Sequence, residues 1–131
     1  MKKIVKSDED WEKILSKEEY EITRKKGTEQ PFTGKKFDND KKGFYKCICC
    51  NEILFSSDSK YESYSGWPSF YQSYSKDSIA EINDYSHGLT RIEVICNICN
   101  SHLGHLFNDG PEPTGLRYCI NSVSIKFEEI A

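Results

Sequence analysis

Cys47-Ile48-Cys49-Cys50 and Cys96-Asn97-Ile98-Cys99 each carry two cysteines at C-x-x-C spacing. A turn of that length aims two thiolates at one point, and two such turns complete the tetrahedral four-sulfur shell that zinc prefers. Cysteine at all four positions leaves no open coordination position, so the predicted zinc is structural rather than catalytic. The long stretch between Cys50 and Cys96 makes the site a clip between distant parts of one domain. Its binding energy would then also be folding energy. Cys49 falls inside the first knuckle, and the i, i+3 spacing leaves it out of the ligand set. A competing set, Cys96, Cys99, His102 and His105, puts only two residues between successive ligands, where zinc fingers place a helix, and would strand Cys47 and Cys50.

Cys119 belongs to neither knuckle. It lies in Arg117-Tyr118-Cys119-Ile120-Asn121-Ser122, within a segment that reads as one strand from Tyr118 to Phe127. Alternation puts Arg117, Cys119, Asn121, Val123, Ile125 and Phe127 on one face, apolar at its far end and polar at its near end. A cation, a thiol and an amide in a row are costly to bury unless they meet something polar. A pocket at the mouth of the core would supply it. Arg117 would also favour the thiolate, which is the nucleophilic form of cysteine. Taken alone, Cys119 reads equally well as an inert core thiol.

Three further segments surround it in character. Gly66-Trp67-Pro68-Ser69-Phe70 sets an indole on a turn, as a wall for an apolar ligand group. His102 and His105 follow the second knuckle, so the clip would fix where both imidazoles point. The turn-rich stretch from Phe107 to Gly115 leads into the Cys119 strand. A nucleophile, acids and an aromatic wall are the parts of a cysteine-based enzyme.

These parts need elements to hold them. Ser7 caps a first helix in which Trp11, Ile14 and Leu15 share a face. Ser16-Lys17-Glu18-Glu19 is a capping box opening a second helix that runs to Arg24 and stops at Gly27. From Pro31 onward, short runs broken by Gly, Asn, Asp and Ser indicate antiparallel β structure. Expected strands are 43–46, 52–56, 79–85, 89–95 and 118–127. The run Arg24-Lys25-Lys26 reads as a solvated helix end.

The 131 residues fit one domain with a modest core, being 37% hydrophobic and 30% charged. A formal charge of −3 offers no general attraction to nucleic acid or to an anionic membrane. No apolar run resembles a signal peptide or a membrane span, so a cytoplasmic protein with reduced thiols is expected.

The stretches 66–70, 91–94, 102–105, 109–115 and 117–122, together with Pro31-Phe32-Thr33-Gly34 and both knuckles, closely resemble the B-class methionine sulfoxide reductases, which act on the R epimer. The resemblance runs from about Trp11 through Phe127. It implies a mainly β fold of two antiparallel sheets, tent- or sandwich-like, with short N-terminal helices. The expected organisation is one domain over 1–131, with a helical segment at 1–30 and a catalytic β core at 31–131 holding zinc on Cys47, Cys50, Cys96 and Cys99. It also implies Cys119 as nucleophile, Trp67 against the substrate methyl group, and His102, His105 and Asn121 arranging water and protons at the sulfoxide oxygen. His87 and Arg117 match positions near the substrate. The implied partners are oxidised proteins carrying methionine R-sulfoxide and a thiol reductant, thioredoxin or another, acting on a monomer. Many members carry a resolving cysteine just before Gly-Trp-Pro, where this chain has Ser65.

A non-catalytic, zinc-stabilised β module that grips a peptide or small ligand is the alternative. It accounts for the four cysteines and Trp67 and leaves Cys119 between Arg117 and Asn121 unexplained.

Overall fold

A computed structural model describes residues 3–37 and 40–130. Two short helices open it, α1 (Asp8–Ile14) and α2 (Lys17–Thr23). Ser7 caps α1 by accepting from the Asp10 N–H, and Ser16 and Glu19 form the expected capping box on α2. Trp11 is buried, but Ile14 is 60% exposed, so Leu15 rather than Ile14 continues the packed face. The left-handed residue after α2 is Lys26 (φ 58°), not Gly27, whose N–H closes back on Glu21 O. The basic run is not merely solvated. Arg24 lies over the Trp11 ring and donates to Cys99 O at 2.8 Å, and Lys26 pairs with Glu93 at 3.2 Å.

The remainder is mainly β. The strands are β1 (Gly43–Cys47), β2 (Ile53–Ser56), β3 (Lys60–Tyr61), β4 (Ser69–Phe70), β5 (Ile79–Asp84), β6 (Arg91–Cys96), β7 (His102–Phe107), β8 (Arg117–Ile120) and β9 (Ile125–Glu129). They form two antiparallel sheets, ordered β2-β1-β9 and β3-β4-β8-β7-β6-β5. Aromatic rings join the sheets. Phe55 on β2 stacks on Phe70 on β4 with centroids 4.2 Å apart, and Tyr45 on β1 meets Phe70 edge-on at 5.0 Å. Such ring pairs contribute beyond their buried area.

The segment 118–127 is two strands rather than one. The chain leaves the large sheet after Ile120, turns through Ser122–Ser124 and joins the small sheet as β9. Polar side chains cause the break. Ser122 Oγ and the Val123 N–H both donate to Glu29 Oε1 at 3.0 Å, and Ser124 Oγ donates to His102 O at 3.0 Å. Local side-chain bonds of this kind compete with a continuous ladder. The face shared by Arg117, Cys119 and Asn121 therefore does not continue to Val123, Ile125 and Phe127.

Candidate active site

Sheet register builds the site. Glu93 on β6 stands opposite His105 on β7, His105 opposite Cys119 on β8, and Cys119 opposite Ser69 on β4. One row across four strands thus holds an acid, an imidazole, a thiol and a hydroxyl. Gly104 lets β8 come this close, because a Cβ there would fall 1.9 Å from Cys119 O.

In a regular strand His102 and His105 would point to opposite faces. A β-bulge opposite Val94 and Ile95 shifts the register by one residue, and the two rings end 5.7 Å apart. Bulges re-aim side chains in this way. His102 Nδ1 and Glu93 Oε2 are 2.7 Å apart, both groups buried, and His105 Nε2 and Asp84 Oδ2 are likewise 2.7 Å apart. Burial pushes the His102 pKa down in spite of Glu93, so the ring is held neutral. With its Nδ1–H donating to Glu93, Nε2 is the bare nitrogen. The bond from His105 holds the Asp84 carboxyl well below the usual carboxylate range.

A cavity of about 160 Å³ is lined by Trp67, His105, Arg117, Cys119 and Asn121, with Thr28 and Arg91. That volume takes one side chain rather than a drug-sized ligand. Trp67 is fixed by its own turn. Gly66 adopts φ 91°, packs against Pro31 and Phe32, and accepts from the Phe32 N–H at 2.9 Å. The indole Nε1–H donates to Glu29 O at 3.0 Å, and the Glu29 N–H donates to Asn121 Oδ1 at 3.1 Å. The backbone of one residue, Glu29, therefore ties the aromatic wall to the amide. Asn121 Nδ2 donates to Leu103 O and Gly27 O, so this amide positions the strap at 27–29 against β7.

Arg117 forms a bidentate pair with Asp109, at 2.8 and 3.3 Å, over the Phe107 ring. Part of its charge is thereby spent away from Cys119. Burial pushes the Cys119 thiol up, and Arg117 and the Ser65 hydroxyl only partly offset it. Cys119 therefore rests as a neutral thiol, contrary to the thiolate expected from Arg117 alone. Alkylation of Cys119 by iodoacetamide, followed by peptide mass spectrometry, should therefore keep accelerating above the ordinary thiol value of about 8.5. A midpoint near neutrality would contradict this. The folded protein holds that proton more tightly than the unfolded chain. The group's contribution to stability is thus present below the ordinary thiol pKa and lost as pH rises through the raised one.

His87 lies outside this cavity, exposed at the tip of the β5–β6 hairpin with φ 57°. Glu29, Asp84 and Glu93 form the site's carboxylate support and were not singled out as site residues from the sequence. Alternation put Glu93 on the polar face of its strand with Arg91, so its burial was not legible in the pattern, although the stretch 91–94 carries part of the family resemblance.

The four knuckle sulfurs lie within 4.8 Å of one another. Cys47–Cys99 and Cys50–Cys96 are each 3.6 Å apart, close to the ~3.8 Å edge of a tetrahedron with ~2.3 Å zinc–sulfur bonds. The two turns are copies of one another. Asn51 N–H bonds Cys47 O and Asn100 N–H bonds Cys96 O, both at 2.9 Å, and both asparagines are left-handed (φ 70° and 65°). The set fits a metal ion. His102 and His105 are engaged by carboxylates instead, which removes the competing Cys₂His₂ set.

The SelR domain family model matches residues 15–129. The chain belongs to the SelR family. Relatives of this SelR domain are named "Peptide methionine sulfoxide reductase MsrB". The protein from Leptospira interrogans is 58% identical over 124 residues, covering 95% of each chain. Those from Methanosarcina mazei and Herminiimonas arsenicoxydans are 56% and 51% identical, covering 95% and 96% of this chain and 89% and 92% of theirs. The crystal structure of the Mis18 "Yippee-like" domain aligns with a TM-score of 0.52 at 16% identity, over 69% of this chain and 98% of that one. That likeness concerns the fold alone. Among the described residues no helix is long and apolar enough to cross a membrane.

Proposed function

We propose that this SelR domain reduces the R epimer of methionine sulfoxide in proteins, with Cys119 as nucleophile. The observation that carries the reading is the juxtaposition of Cys119, Trp67 and His105 around a cavity the size of one side chain. A binding module would have no use for a thiol at that point.

Trp67 packs against the methyl group, leaving the sulfoxide sulfur facing Cys119 Sγ. The sulfur of Cys119 bonds to the sulfoxide sulfur and gives its proton to water, while the sulfoxide oxygen takes a proton from His105. The resulting hydroxyl passes to Cys119 as its bond to the substrate sulfur and the transient sulfur–sulfur bond both break. Substrate sulfur gains two electrons, Cys119 loses two, and the products are methionine and a sulfenic acid. His105, braced by ionised Asp84, is the proton donor, and neutral His102 packs beside it from behind the cavity lining. A first thiol of the reductant, thioredoxin or another, forms a mixed disulfide and releases water. A second thiol restores Cys119 and leaves the reductant oxidised.

Cys47, Cys50, Cys96 and Cys99 would hold zinc, which supplies a structural crosslink with no open position. The test of function is consumption of the two resolved epimers with dithiothreitol. The R epimer alone should be reduced, and equal consumption of both, or of neither, would refute the reading.

Ser65 gives the sulfenic acid no sulfur partner. Cys49 is no substitute, since its thiol donates to Thr23 Oγ1 at 3.4 Å within the knuckle and does not line the cavity. One turnover without reductant should leave Cys119 with one added oxygen, trapped by dimedone and seen by mass spectrometry. Loss of two hydrogens, mapped to a Cys119–Cys49 bond, would overturn this expectation.

A further inference from the structure

Two arginines line the Cys119 cavity, and they are used differently. Arg117 is engaged by Asp109, with hydrogen bonds at 2.8 and 3.3 Å. Among the described residues, none accepts a hydrogen bond from the Arg91 side chain. Its Nε is enclosed without a partner, and its Nη2 stands 3.6 Å from Asp84 Oδ2. At that distance the contact is an ion pair and not a hydrogen bond. The carboxylate has little left to offer, because Oδ2 is held by His105 at 2.7 Å and Oδ1 accepts from the Ser86 N–H at 2.9 Å. The side chain of Arg91 is only 26% exposed, so water solvates it incompletely. A guanidinium carries five N–H donors in a planar fork, and enclosed donors are as a rule paired. An acceptor is missing at this point of the cavity.

Strand geometry says which part of a substrate would supply it. Glu93, His105 and Cys119 form one row across β6, β7 and β8. Arg91 lies two residues along β6 from Glu93, on the same face and roughly 6.6 Å away. In methionine sulfoxide, two methylenes and the α-carbon separate the sulfur from the carbonyl carbon, a comparable reach. With the sulfur at Cys119 and its oxygen at His105, Arg91 falls at the level of the substrate's main chain. We propose that Arg91 binds substrate, its outer guanidinium nitrogens donating to a main-chain carbonyl oxygen beside the oxidised side chain. The inference rests on the reductase reading and deepens it by naming the substrate class. The site favours sulfoxides borne on an amide backbone over small sulfoxides with the same side chain, since a few placed polar groups set the specificity of a small cavity.

The test is single-turnover reduction without reductant, so that recycling by thiols does not enter. Two sulfoxides are compared. One is N-acetyl-methionine R-sulfoxide N-methylamide. The other is the matching enantiomer of methyl propyl sulfoxide, which keeps the side chain and lacks both carbonyls. In Arg91→Met the half-saturating concentration of the capped compound should rise by more than threefold and nearer about tenfold, as loss of a charge-assisted hydrogen bond allows. Its limiting rate, and reduction of methyl propyl sulfoxide, should each stay within about threefold of wild type. A half-saturating concentration within about threefold of wild type would overturn the assignment. So would an equal loss on both sulfoxides, because Arg91 would then act through Asp84 on His105. Arg91→Gln carries the same criteria if Arg91→Met melts below the assay temperature. Failure of wild type to reduce the capped R-sulfoxide would instead overturn the reductase reading, and this inference with it.

Discussion

Cys119→Ser should lose sulfoxide reduction by a factor of about a thousand or more. A serine hydroxyl at neutral pH is almost wholly protonated and is a poor nucleophile toward sulfur, and no neighbouring group can take its place. Ser65 is a hydroxyl as well, and Cys49 sits in the knuckle. The change removes little volume from a partly buried position, so the melting temperature and metal content should stay close to wild type. That pairing of outcomes matters, because a loss of activity with a loss of fold would say nothing about the nucleophile. Turnover of the R epimer within tenfold of wild type would take Cys119 out of the mechanism. The same variant should still bind the R-sulfoxide, since Trp67 and His105 are untouched, and quenching of tryptophan fluorescence on titration would report it.

The chemistry of this site was more legible in the chain than its geometry. Both knuckles, the helix caps and Trp67 on its turn follow from residues close together in sequence, where spacing and side-chain type are enough. Strand β7 was not expected as a strand, because His102, Gly104 and His105 resemble a loop more than an alternating apolar run. The glycine is there for the approach of β8, a contact with a distant segment. The bulge that turns His102 and His105 to one side is invisible for the same reason, since it exists only against β6. The break after Ile120 depends on the buried carboxylate of Glu29, far away in sequence. Arg117 was expected to acidify Cys119, but Asp109 takes up its guanidinium and burial of the thiol outweighs what remains. Partners supplied by the fold, more than residue identity, set the protonation states.

Replacing one knuckle cysteine should cost more stability than any other single change in the chain. Cys47 ends β1 in the small sheet and Cys96 ends β6 in the large one, so the clip joins the two sheets at a buried point. Structural zinc sites contribute on the order of 10–16 kcal/mol in apparent binding free energy, and domains of this size are stable by only about 5–15 kcal/mol. Cys96→Ser should therefore emerge without stoichiometric metal and unfold at much lower temperature, and a chelator should drive wild type toward the same state. Activity should fall with it. His102 begins β7 just after the second knuckle, Ile4 and Arg24 bond the carbonyls of Ile98 and Cys99, and each contact loosens once the turn does. Cys49→Ser is the matched control, because its sulfur faces Thr23 and should leave both metal and melting curve in place. Elemental analysis with thermal melts decides the matter. One zinc per chain in Cys96→Ser with an unchanged melting curve would refute the four-sulfur clip, and equal metal loss in Cys49→Ser would move the fourth ligand to that residue.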